Sequence, residues 1–206
     1  TTGLGLDIVI GGSAGDTLLV GDGNNIVIGD SGMITAATED LHRFGSQPLS
    51  MGRIETTSFG IGGADTVTSG SGNDLILGGH DADTINAGEG DNVVAGDDAA
   101  IEFTRQERDG AIAGAIPGAD LDASDIDVIV STSTLLHGGV DGITTGNGND
   151  IVIGGRFGDT INAAGGRNLV IGDSGTITAA NEDANRFGAQ SVTVGRIETT
   201  QFNDGG

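Results

Sequence analysis

Along the repetitive parts of this chain one position in nine is aliphatic without exception: Val9, Leu18 and Val27, then Val67, Ile76, Ile85 and Val94, then Ile143, Val152, Ile161 and Val170. Numbered so that this residue stands eighth, the phrases fall into three blocks. Residues 60–95 read GIGGADTVT, SGSGNDLIL, GGHDADTIN, AGEGDNVVA, and residues 136–171 read LHGGVDGIT, TGNGNDIVI, GGRFGDTIN, AAGGRNLVI. Residues 1–28 hold TGLGLDIVI, GGSAGDTLL and VGDGNNIVI, one phrase short at the start. Every phrase carries two or three glycines, and a helical Gly costs about 1 kcal/mol relative to Ala, so nine-residue helices are excluded. Positions seven to nine, such as Leu75, Ile76 and Leu77, suit a short strand whose middle side chain points inward by two-residue alternation. The six glycine-rich residues before them suit a turn with positive φ angles.

Strand and turn alternating every nine residues predict a coil of eighteen with two strands and two turns. Stacked coils give an all-β fold, a flattened parallel β-solenoid whose narrow core is the ladder of eighth positions. Between the blocks lie inserts that resemble one another. Residues 29–59 begin GDSGMITAATED and end GRIETTSF; residues 172–202 begin GDSGTITAANED and end GRIETTQF; residues 96–135 begin GDDAAIEFT and end DVIVSTSTLL. β-branched residues at both ends of a polar loop predict a hairpin-like β-arm from each. The expected organisation is therefore a first repeat block at 1–28, an arm at 29–59, a second block at 60–95, a longer arm at 96–135, a third block at 136–171 and an arm from 172 to 206. The phrase missing from the first block and the break after the last arm are expected of a piece of a longer array.

Position six is nearly as strict as position eight: Asp7, Asp16, Asn25, Asp65, Asp74, Asp83, Asn92, Asp141, Asp150, Asp159 and Asn168. Asn falls in the last phrase of each block. In stacked coils, phrase n lies on phrase n+2, which pairs Asp7 with Asn25, Asp65 with Asp83, Asp74 with Asn92, Asp141 with Asp159 and Asp150 with Asn168. Strand spacing sets these side chains about 4.8 Å apart, where two carboxylates at an effective dielectric near 20 repel by about 3 kcal/mol. A cation must offset this. Calcium bonds to oxygen at about 2.3–2.6 Å, fits between two such carboxylates and accepts backbone carbonyls, which glycine turns expose.

Composition agrees with a cation partner. The 206 residues include 40 Gly, no Cys, no Trp and no Tyr, and carry a formal charge of −22. Such a surface repels nucleic-acid phosphates and anionic lipid, and no apolar run is long enough to span a bilayer. The absence of cysteine removes disulfides, thiolate metal sites and cysteine catalysis.

The phrases GGADTVTSGSGNDLILGG and GITTGNGNDIVIGG resemble the GGxGxDxUx repeats of the RTX, or hemolysin-type, calcium-binding family. The resemblance covers the three blocks. It implies a right-handed parallel β-roll with several Ca²⁺ ions held between successive turns by the position-six side chains and turn carbonyls. It also implies a protein exported, as by type I secretion, that is unfolded in low calcium and folded outside the cell. Position four departs from the pattern at Ala14, Asp81 and Phe157, which makes those turns irregular. Asn25, Asn92 and Asn168 bring an oxygen without a charge, so Asp/Asn pairs are expected to hold the ion more weakly than Asp/Asp pairs. Ile34, Ile101 and Ile177 stand where position six would fall in the arms, so the ladder is expected to break there, with Asp30, Asp97 and Asp173 as substitute ligands.

Other residues read more plainly. His42, His80 and His137 have no ligand spacing and are expected on the surface. No GxSxG elbow or Ser/His/Asp grouping can be assembled, and TGNGND lacks the lysine of a phosphate loop, so neither an enzyme nor a nucleotide site is expected. The RFG triplets at 43–45, 156–158 and 186–188 are expected to anchor arms through Phe. Thr145, Asn147 and Asn149 suggest an ice-binding row, but the equivalents Ser69, Ser71, Asn73 and Gly78, His80, Ala82 do not continue it. The expected function is a calcium-binding structural module of a secreted or bacterial cell-surface adhesin-type protein, monomeric within its array. The alternatives are an ice- or glycan-recognition face, or the calcium-binding tail of a secreted enzyme.

Overall fold

The computed structural model describes residues 1–37, 44, 49–104, 124–134, 136–180 and 186–200, and every named element among them is a β-strand. Each nonapeptide delivers its last three positions as a strand, and successive phrases deliver theirs to two different parallel sheets. The first sheet takes β1 (Ile8–Ile10), β3 (Ile26–Ile28), β7 (Leu75–Gly79), β9 (Val93–Asp97), β13 (Ile151–Ile153) and β15 (Leu169–Ile171), in that order. The second takes β2 (Thr17–Leu19), β6 (Thr66–Thr68), β8 (Thr84–Asn86), β12 (Gly142–Thr145) and β14 (Thr160–Ala163). Position eight lies on position eight throughout, as Val27 on Ile76 and Ile85 on Ile143. These side chains meet between the sheets, where Val27, Val67, Ile76, Ile85, Val94, Ile143 and Val152 form one apolar cluster.

The inserts form hairpins that do not stand apart from one another. Each is an antiparallel hairpin: β4 (Gly32–Ala36) with β5 (Met51–Thr56), β10 (Ala99–Glu102) with β11 (Val128–Ser131), and β16 (Gly175–Ala179) with β17 (Val194–Thr199). The hairpins join edge to edge, β5 to β10 and β11 to β16, into a third sheet of six strands. Ile34, Ile54, Ile101, Ile129, Ile177 and Ile197 are mutual register partners across that whole sheet.

This third sheet covers the outer face of the first parallel sheet. Ile54, Ile101, Ile129 and Ile177 pack there against Ile26, Ile28, Leu75, Leu77, Val93, Ile151 and Ile153. Those last seven occupy positions seven and nine, which is why their phrases read as unbroken apolar runs: a parallel strand buried on both faces needs apolar residues on both. The strands of the second sheet carry Thr66, Thr68, Thr84, Asn86, Thr160 and Asn162 at the same positions and leave their outer face to solvent. Burying a full Ile side chain is worth about 1.5–3 kcal/mol, so the isoleucine row is a major fastening of the arms. Ile8 and Ile10 at one end and Ile197 at the other stay exposed, which marks where the overlap of the two sheets ends.

Candidate metal centre

The position-six side chains stack in two columns. Turns entering the second parallel sheet carry Asp16, Asp65, Asp83, Asp141 and Asp159; turns entering the first carry Asp7, Asn25, Asp74, Asn92, Asp150 and Asn168. In both columns each residue donates its backbone N–H to Oδ1 of the next. On the all-acid edge the distances are 2.6 Å from Asp16 to Asp65, 2.8 Å from Asp65 to Asp83, 2.8 Å from Asp83 to Asp141 and 2.9 Å from Asp141 to Asp159. On the mixed edge they run 3.0 Å from Asp7 to Asn25, 2.8 Å from Asn25 to Asp74, 3.0 Å from Asp74 to Asn92, 2.9 Å from Asn92 to Asp150 and 3.0 Å from Asp150 to Asn168.

Every pair expected within a block is thus present, but the expected break at the arms is not. Stacked partners are 18 residues apart within a block, 49 apart across the first arm and 58 apart across the second. The arms loop out and the stack closes behind them. Ile101 and Ile177, expected in the broken ladder, are instead buried under the first parallel sheet. Asp30 and Asp97 mark the points of departure. Asp30 accepts the N–H groups of Gly63 (3.1 Å) and His80 (2.5 Å); Asp97 accepts those of Gly139 (2.7 Å) and Arg156. Each aspartate therefore ties the re-entering strand to the following coil.

On the all-acid edge the second carboxylate oxygen has no partner. Oδ2 of Asp65, Asp83, Asp141 and Asp159 is buried and receives no hydrogen bond. Each faces a glycine that has no room for a side chain: a Cβ on Gly29 would overlap Asp65 Oδ2 and the Gly78 carbonyl, one on Gly78 would overlap Asp83 Oδ2 and the Gly96 carbonyl, and one on Gly96 would overlap Asp141 Oδ2 and the Gly154 carbonyl. Carboxylate and carbonyl oxygens thus converge at each step. Loss of water around these acids pushes Asp83 up to about 9, Asp141 to about 7, and Asp65 and Asp159 to about 6, with neighbouring carboxylates adding to the rise. Burial likewise lifts Asp97 to about 8, helped by the charges of Asp141 and Asp159.

The mixed edge is satisfied internally from Asn25 to Asp150. Ser69 Oγ donates to Asp74 Oδ2 at 2.6 Å and Thr145 Oγ1 to Asp150 Oδ2 at 2.7 Å. The Asn25 amide donates to the Gly21 and Gly23 carbonyls at 3.1 and 2.9 Å, and the Asn92 amide to those of Gly88 and Gly90 at 3.4 and 3.1 Å. A parallel ladder at position five runs beside it: Asn73 donates to Asn24, Asp91 to Asn73, Asn149 to Asp91 and Arg167 to Asn149. The position-one hydroxyls are not legible from sequence as partners of the acids, and the turn carbonyls expected as ligands are not assigned there to individual glycines. Their signal is an eighteen-residue alternation, in which phrases with an aliphatic residue at position seven take turns with phrases that carry Thr or Gly there.

Among the described residues no three His, Cys, Asp or Glu side chains converge on one point. A stacked ladder presents its carboxylates one per level, so a bound cation needs backbone oxygens as well. The irregular position four is accommodated alike in two turns: Asp81 and Phe157 take φ of 70° and 72°, whereas Ala14 is not in this left-handed region.

The histidines do not lie as expected. His42 falls outside the described residues, while His80 and His137 are half-buried with ring centroids 5.2 Å apart, and Nδ1 of each is buried without a partner. Stacking of β12 on β8 brings their turns together across the arm, a proximity that local spacing cannot reveal. The RFG triplets divide. Phe44 and Phe187 pack on the larger core, and Arg167 lies 5.5 Å above the Phe187 ring, but Phe157 is exposed. Ala189 and Gln190 beside Phe187 also bond to Asp91, which fastens that arm to the mixed edge.

No curated protein and no solved structure matches the chain. A family model described as RTX calcium-binding nonapeptide repeat (4 copies) matches residues 1–32, 59–94 and 144–176. These stretches hold most of the strands of the two parallel sheets and most of the turns of the two ladders, and they are RTX calcium-binding nonapeptide repeats.

Proposed function

We propose that this segment is a calcium-binding structural module, a right-handed parallel β-roll backed by a sheet of arms, within a secreted or bacterial cell-surface protein of adhesin type. Its folding is coupled to calcium, and it has no catalytic role of its own. The observation that carries this reading is the row of buried, unpartnered oxygens on Asp65, Asp83, Asp141 and Asp159. An isolated charge so buried is costly and normally neutralises or finds a partner. Calcium takes six to eight oxygens, and the converging carboxylate and glycine carbonyl oxygens are of the right chemistry. Asp65, Asp83, Asp141 and Asp159, with the carbonyls of Gly78, Gly96, Gly154 and Gly172, would hold the ions. Bound calcium supplies the positive charge that this stack lacks, and affinity for the folded state alone adds to folding stability.

Circular dichroism in chelator, then with Ca²⁺, then with Mg²⁺, tests the coupling. The β signal is expected to be weak in chelator, to rise with Ca²⁺ and not to be restored by Mg²⁺. An equally strong signal in chelator would refute coupled folding.

A second reading, recognition of ice or a glycan, is favoured by the outer face of the second parallel sheet. Thr17, Thr66, Thr84 and Thr160 lie in one rank there, with Gly142 between the last two, and Thr68, Asn86, Thr144 and Asn162 continue a second that starts at Leu19, in register and without a charge in a chain of net −22. This replaces the row suggested by Thr145, Asn147 and Asn149. Thr145 is buried on Asp150, and Asn147 and Asn149 are bonded to Glu89 and Asp91. Ice-affinity and glycan-array binding abolished by Thr84→Lys would support this face; binding that survives Thr84→Lys and Thr144→Lys would exclude it.

A further inference from the structure

We infer that calcium loads only one of the two edges, and that the mixed edge is a metal-free zipper in which built-in hydroxyl and amide donors stand in for the ion. The inference rests on the calcium reading above and divides its sites. Down the mixed edge, Asp7, Asn25, Asp74, Asn92, Asp150 and Asn168 alternate acid and amide without a lapse, because phrases separated by an arm stack as directly as phrases within a block. No two carboxylates are adjacent there; they lie two strand spacings apart, about 9.6 Å. On the other edge Asp16, Asp65, Asp83, Asp141 and Asp159 follow one another at every step.

The residue at position one follows the same division. Each acid of the mixed edge has a hydroxyl five residues before it, Thr2 before Asp7, Ser69 before Asp74 and Thr145 before Asp150. Each amide has an apolar residue there, Val20 before Asn25, Ala87 before Asn92 and Ala163 before Asn168. Where the hydroxyl donates to the carboxylate, a side-chain proton occupies the oxygen that a cation would take, as at Asp74 and Asp150. Where the hydroxyl is missing, the amide brings its own protons and spends them on two glycine carbonyls, as at Asn25 and Asn92, which removes those carbonyls as ligands too. Asp7 and Thr2, at the open end of the stack, have the same spacing, with Asp7 Oδ2 and Thr2 Oγ1 still unpaired. The all-acid edge has no such donor: Gly11, Gly60, Gly78, Leu136 and Gly154 hold position one.

Calcium titration of the full chain by calorimetry, with circular dichroism in saturating calcium as the folding control, tests this. Asp74→Asn is expected to bind as many ions as the parent with affinity within about twofold, whereas Asp83→Asn loses an ion or about tenfold in affinity. Asn92→Asp, which places three acids in succession at Asp74, position 92 and Asp150 with no hydroxyl at Ala87, is expected to add a calcium ion. Loss of an ion in Asp74→Asn would overturn the inference even if Asp83→Asn did not fold, and no added ion in Asn92→Asp would also count against it. A parent chain that bound no calcium would instead sink the calcium reading itself.

Discussion

At Gly96 an added Cβ would overlap Asp141 Oδ2 and the Gly154 carbonyl, whereas at Gly172, the last residue of the same glycine row, nothing lies within 4 Å. Neither has the left-handed φ that would penalise a side chain for other reasons. The difference is therefore one of space inside the stack. Gly96→Ala is expected to destabilise the calcium-loaded protein by about 1–3 kcal/mol, as overpacking does, and to weaken calcium binding. Gly172→Ala should stay within about 0.5 kcal/mol of the parent. Urea unfolding in saturating calcium measures both, and equal costs would show that the glycine row is not a cradle.

Among the elements, the arms are the part whose role changes most between sequence and structure. Their strand signals are local, and the hairpins they form are legible from β-branched residues alone. What a hairpin does with its second face is not local, because burial depends on which sheet arrives opposite it. Ile101 packs in the middle of the isoleucine row with no exposed surface, and Ile101→Ala should cost about 2–5 kcal/mol. Ile197 occupies the same row but is 51% exposed, and Ile197→Ala should cost under about 1 kcal/mol. Chemical denaturation of the two variants checks the asymmetry. Comparable losses would mean that the third sheet extends its cover over Ile197.

For the molecule as a whole, the buried acid edge links folding to pH as well as to calcium. Asp65, Asp83, Asp141 and Asp159 sit at about 6, 9, 7 and 6, all above the 3.8 of a free aspartate. Without calcium the folded state holds protons that the unfolded chain releases. Stability from these groups is complete below their unfolded value and is lost as pH rises through about 6 to 9. In chelator the protein is therefore expected to gain β structure on acidification from about pH 8 to about pH 5. With calcium present, protons compete for the same oxygens, and affinity should fall over that interval. Thermal melts by circular dichroism across pH, with and without chelator, read both effects; a calcium-free protein more stable at the higher pH would contradict the first.

The nine-residue period determined by itself the strand at positions seven to nine, the inward side chain at position eight and the stacking of Asp65 on Asp83, because each follows from two-residue alternation and from counting in nines. It also carried the family resemblance, since Asp and Gly recur in register. Only the tertiary structure decided that the ladder passes unbroken from Asp16 to Asp65 and from Asp83 to Asp141, that His80 meets His137, and that three hairpins fuse into one sheet. The ladder and histidine contacts join residues separated by a looped-out arm, and the hairpins join across a whole repeat block. Backbone pairing between strands is indifferent to how much chain lies between them, so no local spacing in the sequence records where the chain returns.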